Sequence, residues 1–141
     1  MKADINFPQV VGVTLAIVHE PLSEDFGQPD LEYQWRVFII NQNDTDLHNI
    51  IIASKGYGTT AEGNKQETSV LRHLIEELPG QSAAPIEIIS PEVFHLVNEY
   101  WVSYYIDRTV YDKKFLFMPD SIVEGNLQPL PFLDLPGVLH N

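Results

Sequence analysis

Residues 33–41 read Tyr33-Gln34-Trp35-Arg36-Val37-Phe38-Ile39-Ile40-Asn41. Tyr33, Trp35, Val37 and Ile39 alternate with Gln34, Arg36, Phe38 and Ile40. That period of two belongs to a β-strand, whose successive side chains point to opposite faces. The partner set begins polar and ends with Phe38 and Ile40, so both faces become apolar toward Asn41. Such a pattern fits a central strand whose far end is covered on both sides.

Working outward, residues 41–46 are a run of Asn, Gln, Asp and Thr, whose short polar side chains bond their own backbone in turns. Residues 47–54 follow, centred on β-branched Ile50, Ile51 and Ile52, and the two segments read as a hairpin. Upstream, residues 10–19 place Val11, Val13, Leu15 and Ile17 on one face. Glu20-Pro21 ends that strand, and residues 23–30 form an acidic loop with Gly27 and Pro29.

Downstream, residues 55–64 read as a glycine-rich loop of about ten residues. Residues 68–78 carry Val70, Leu71, Leu74, Ile75 and Leu78, a spacing with helical character. Leu78-Pro79-Gly80 before Ile86-Glu87-Ile88 points instead to strand, turn, strand. An edge strand crossing from one sheet toward another reconciles the two, and strand is the reading favoured. Residues 85–89 form a short strand. Ser90-Pro91-Glu92 is a helix-start signature, with Ser90 as N-cap and Pro91 at the first helical position. One or two turns carrying Val93, Phe94 and Val97 are expected after it. Residues 100–106 alternate again, residues 107–112 turn, and residues 113–118 return with Lys113 and Lys114 blunting the edge.

Short strands spaced by turn chemistry predict a mainly β fold: one antiparallel immunoglobulin or fibronectin-III-like β-sandwich over residues 1–118, with one or two short helices. Residues 119–141 differ. They hold four of the ten prolines, with Leu127, Leu130, Phe132, Leu133, Leu135, Val138 and Leu139 between them. Proline cannot donate to a ladder, so an extended tail is expected rather than a strand. It is too apolar to lie free in water. It should dock on its own domain or on a neighbour, and exchange within a two-fold homodimer is the reading favoured.

The 141 residues fit one domain, and acidic residues outnumber basic ones 20 to 8 for a net charge of −12. That balance repels phosphate backbones and anionic lipid, so neither nucleic acid nor membrane is expected as a partner. The chain has no cysteine, which excludes disulfides, thiol catalysis and Cys-ligated metal. No leader or spanning stretch is legible, and a cytoplasmic setting is expected.

Candidate chemistry is sparse. The 41–46 run offers oxygen ligands but not the spacing of a calcium loop, and a plain turn explains it. Gly56-x-Gly58 lacks the lysine and spacing of a phosphate-binding loop. The histidines are His19, His48, His73, His95 and His140. On a helix His73 would share a face with Glu77, and His95 with Glu99, but a metal site needs three or four convergent ligands. No nucleophile elbow or paired-carboxylate signature exists. Tyr33, Trp35, Tyr100, Trp101, Tyr104 and Tyr105 lie on the two best strands and are expected in the core. No catalytic, cofactor-binding or metal-ligating residue is assigned, and no cofactor is expected.

Tyr33-x-Trp35-x-Val37-x-Ile39-x-Asn41, then a hairpin, a glycine-rich loop and Leu78-Pro79-Gly80 before a strand, resembles the ApaG-type domain over residues 33–118. The resemblance implies a fibronectin-III-like sandwich and anion or partner binding. The chain departs from that family after Gly56-x-Gly58, where no further G-x-G-x-x-G follows, so no site residue is carried over. A non-catalytic interaction module, binding a protein partner or itself, is the function expected. The alternative is a small hydrolase or metal-dependent enzyme whose histidines and carboxylates meet only in the fold.

Overall fold

The chain is described by a computed structural model covering residues 8–22 and 32–140. The acidic loop expected at residues 23–30 lies outside the described residues. Nine strands appear among them: β1 Val13–Pro21, β2 Tyr33–Asn41, β3 Leu47–Thr59, β4 Lys65–Glu67, β5 Leu71–Leu78, β6 Ser82–Ile89, β7 Val97–Ile106, β8 Thr109–Phe117 and β9 Gly137–Leu139. They form two antiparallel sheets. One runs β6-β2-β1-β9; the other runs β4-β3-β7-β8, with β5 also paired to β3. No described helix is long and apolar enough to cross a membrane.

One hydrophobic cluster joins the two sheets. Leu15, Ile17, Val37 and Ile39 from the first meet Ile50, Ile52, Tyr100, Val102 and Phe115 from the second. The alternating sets of β1 and β2 are thus the inward sets, with Trp35 among them, and Tyr104 of β7 joins the same cluster. Val11 stands outside this pattern, before β1 begins, and is 66% exposed.

The connection at 41–46 corrects the hairpin reading. β2 and β3 belong to different sheets, and the run of turn formers is a corner between them. Fully buried Asn41 holds that corner: its Nδ2 donates to the carbonyls of Thr45 at 2.9 Å and Pro79 at 3.1 Å, and its Oδ1 accepts from Asn43 N at 3.1 Å. The turn at Leu78-Pro79-Gly80 is another crossing, from β5 to β6, and it interlocks with the first. Gly80 N donates to Asp46 Oδ1 at 2.9 Å and Gln81 N donates to Asn43 O at 2.9 Å. A Cβ on Gly80 would overlap the Asp44 carbonyl, so the approach requires glycine. Asn41→Ala strips donors and an acceptor from a buried corner and is expected to cost about 1–3 kcal/mol, read as a lowered denaturant midpoint. An unchanged midpoint would show the corner to be held by backbone alone.

Three further expectations change. The 55–64 loop shrinks to residues 60–64, because β3 continues through Gly56 and Gly58 to Thr59. Those glycines admit a neighbour: a Cβ would lie 3.3 Å from Leu96 Cδ1 at Gly56 and 3.1 Å from Leu96 Cδ2 at Gly58. The helix after Ser90 is only a 3-10 turn, Pro91–Val93, capped as expected by the Ser90 side chain accepting from Glu92 N. Val97 already belongs to β7.

β5 is a strand, and its mixed period has a cause. Opposite it, Asn49 has φ 49° and the β3–β7 register slips between His48 and Ile51. Such a bulge switches which residues face inward. Leu47 and Ile50 are both buried although three apart, and their partners Leu78 and Ile75 follow the same phase. A spacing of three inside a strand mimics a helix.

The tail lies along its own domain in this structure. Leu130, Leu133, Leu135 and Leu139 gather on the outer side of β1 and β2, against Ala16, Val18, Phe38 and Ile40. The doubly apolar end of β2 is covered by the core on one side and by the tail on the other. The expectation that proline keeps the whole tail off a ladder needs correction for its end. After Pro136, three residues with free N–H groups form β9, pairing Ala16 with Leu139, Ile17 with Val138 and Val18 with Gly137.

Candidate functional site

Two places concentrate side-chain chemistry. The first lies between the sheets. β6 is an edge strand, and its pairing with β2 slips between Val37 and Phe38, just where Pro85 lacks an N–H to offer. Beyond the slip Glu87 reaches across to the opposite sheet. Its Oε1 accepts from Ser54 Oγ at 2.8 Å and meets His73 Nε2 at 2.7 Å, while its Oε2 accepts from Tyr100 OH at 3.0 Å. Tyr100 is 1% exposed, and burial first, then the Glu87 charge and its hydrogen bond, hold the phenol well above its usual pKa. No buried side-chain nitrogen or oxygen among the described residues lacks a partner.

This constellation brings together serine, histidine and a carboxylate, but not as a relay. Ser54 donates to Glu87 rather than to His73, so the histidine is not placed to take the serine proton as a relay requires. The cleft beside Glu87 measures about 230 Å³ and is lined by Ser54, Leu71, Ile88 and Asn98 among others. That is below the usual about 300–1,000 Å³ of small-molecule sites.

The network makes an alkaline prediction. Tyr104, buried beside Tyr111, has its phenol pushed up to about 12 by burial first and Tyr111 second, and Tyr100 moves the same way. A pKa raised on folding stabilises below the unfolded value, about 10 for tyrosine, and that stabilisation is lost as pH climbs through the folded value. Denaturant midpoints taken from about pH 9 upward should hold level to about pH 10 and then fall, and Tyr100→Phe should flatten the fall. A level profile would contradict the buried-phenol account.

The second place is the outer face of the five-stranded sheet. Leu74 and Ile51 are directly opposite on β5 and β3, and Ile51 stands opposite Ser103, diagonal to Trp101 and Tyr105 on β7. Diagonal neighbours on one sheet face lie about 7–8 Å apart, within reach of aromatic rings. These four side chains are 40–64% exposed. Trp101 is held in place: its Nε1 donates to Asp112 Oδ1 at 2.6 Å, and Lys114 Nζ lies 4.8 Å from its ring. Six of the eight basic residues, Lys55, Lys65, Arg72, Arg108, Lys113 and Lys114, belong to this sheet or to the β7–β8 turn. The same elements carry six acids, Glu67, Glu76, Glu77, Glu99, Asp107 and Asp112, so this sheet is close to neutral while the chain carries −12.

The aromatic expectation is half corrected. Trp35, Tyr100 and Tyr104 are buried, whereas Trp101 and Tyr105 face outward and half-exposed Tyr33 stacks on His19 with centroids 4.4 Å apart. The histidine pairs imagined on helices do not form. His73 meets Glu87, and His95 meets Gln66 Oε1 at 2.9 Å. Glu77 stands opposite His48 instead, beside Asp46. Sequence reasoning missed this trio and the Glu87 network because their members come from separate strands. The one local signal was Glu87 itself, an acid inside an apolar run at residues 86–89. Comparison with protein-family models, curated proteins and solved structures finds no match to this chain.

Proposed function

We propose that the chain is a non-catalytic interaction module, an immunoglobulin-type sandwich that binds a protein partner through the outer face of β5, β3 and β7. The observation that carries this reading is the contiguous exposure of Leu74, Ile51, Trp101 and Tyr105 across three neighbouring strands. Large rigid side chains gathered on an exposed face are the usual anchors of a protein interface. The order of connections supports the sandwich. Through β8 the chain leaves the first sheet after β2, returns to it at β6 and crosses again to the β7–β8 hairpin, before β9 of the tail rejoins the first sheet. The immunoglobulin order has the same crossings, except that the fourth strand sits here beside β3 instead of beside β6. This topology also suits the ApaG-type resemblance.

The enzyme alternative has less support. It needs a histidine and two acids in a cleft. The cleft is lined by a single acid, Glu87, already bonded to His73, which does not line it, and the trio of Asp46, His48 and Glu77 is exposed.

The test is paired affinity capture from cells of origin with the full chain and an Ile51→Lys/Leu74→Lys variant of equal melting temperature. A protein retained by the first and reduced by about tenfold or more with the second, and reproduced with purified components, supports the module. Identical captures overturn it. So does hydrolysis of an ester or phosphoester panel that is lost in His73→Ala.

A further inference from the structure

We propose that Asp46, His48 and Glu77 bind one first-row transition-metal dication of the zinc class. The proposal is independent of the apolar-face reading. His48 and Glu77 are cross-strand partners on β3 and β5, and Asp46 ends the corner that leads into β3. One imidazole nitrogen and two carboxylate oxygens from these residues all lie within 4.8 Å of one another. A zinc-class ion holds nitrogen and oxygen ligands at about 2.0–2.2 Å, so side-chain rotation alone must close the set. All three side chains are exposed, so His48 and Glu77 can turn toward the oriented Asp46 carboxylate.

Three features of the backbone and charge favour the site. First, the Asn49 bulge keeps His48 outward beside Glu77 although both Leu47 and Ile50 are buried. Unbroken alternation would turn residue 48 to the same side as residue 50, and bulges serve to re-aim a side chain. Second, Asp46 Oδ1 accepts from Gly80 N at 2.9 Å, which orients the carboxylate and leaves its other oxygen available. Third, neither Asp46 nor Glu77 is in an ion pair among the described residues. Two neighbouring carboxylates on a chain of net charge −12 repel each other until a cation lies between them.

The donor set selects the metal. Imidazole with carboxylates suits zinc, cobalt, nickel or manganese, whereas calcium takes about six to eight oxygens. Three protein ligands leave a coordination position open to water or to a partner's side chain.

The experiment is calorimetric titration of the untagged full chain with zinc chloride, alongside His48→Ala, Glu77→Gln and His95→Ala. A single saturable site is expected, weakened about tenfold or more in His48→Ala and Glu77→Gln and unchanged in His95→Ala. Cobalt should give visible d–d bands that vanish in His48→Ala. Absence of saturable binding, or equal binding by His48→Ala, overturns the site. Displacement of zinc by equimolar calcium overturns the assigned metal class.

Discussion

Glu87→Ala is expected to lower unfolding free energy by about 2–5 kcal/mol, the range for buried groups that lose their only partner. The size follows from what is left behind. Ser54 Oγ and Tyr100 OH both donate to this carboxylate, and their residues are 4% and 1% exposed, so both lose their acceptor at nearly buried positions. The His73 side chain, 30% exposed, can rehydrate and adds less. Denaturant unfolding near neutral pH measures the loss. Glu87→Gln, which keeps one acceptor, should lose less. Ser54→Ala with Tyr100→Phe should recover part of the Glu87→Ala deficit, because removing donors together with their acceptor abolishes the unsatisfied groups. A Glu87→Ala loss under about 1 kcal/mol would mean that the network is solvated and carries no structural weight.

Deleting residues 126–141 removes buried Val138 and Leu130, worth about 1.5–3 kcal/mol each and about 3–6 kcal/mol together before regained chain entropy offsets part, and a clear loss of stability is expected. It also exposes Ala16, Val18 and Ile40, all 0–1% exposed in the intact chain. A truncated chain that stays monomeric and melts lower fits a strap docked on its own domain. Loss of a dimer by light scattering, the outcome favoured from the prolines and leucines of the tail, fits exchange between two copies, which preserves the same contacts. Equal mass and equal melting temperature would leave the tail without a role. Acid should loosen the same element. His140 packs edge-on to Phe115 and Phe117, and burial first, then Lys113, lower its pKa below the usual value. A lowered pKa stabilises above the unfolded value, about 6.5, and that part is lost as pH falls through the folded one. His140→Phe should reduce the acid-side slope of the full chain.

Much of the secondary structure was legible because it is local. Alternation over residues 33–41 located β2 to the residue, and the Ser90-Pro91 signature located a capped turn. The doubly apolar end of β2 announced a second cover. The readings that failed are instructive for the same reason. A run of turn formers at 41–46 bends the chain whether the next strand pairs with β2 or crosses to another sheet. The choice fell to the buried amide of Asn41, whose acceptors include Pro79, 38 residues away. Glycine at 56 and 58 reads as loop until Leu96 is seen against it.

The candidate sites were less legible still. Trp101 and Tyr104 are both aromatic and three apart on one strand, and only sheet pairing decides that one faces out and the other in. Glu87 meets Ser54, His73 and Tyr100 across 33, 14 and 13 residues of chain. No window along the sequence holds all four.

From its sequence alone this protein was bound to be a strand-rich, strongly acidic, cysteine-free domain with an apolar tail, since charge, alternation and proline placement are properties of neighbouring residues. Tertiary structure alone decided which sheet each strand joined, which aromatics reached solvent, and which polar side chains met. Those outcomes depend on pairings between distant segments, where burying one face and satisfying every buried polar group must be solved together.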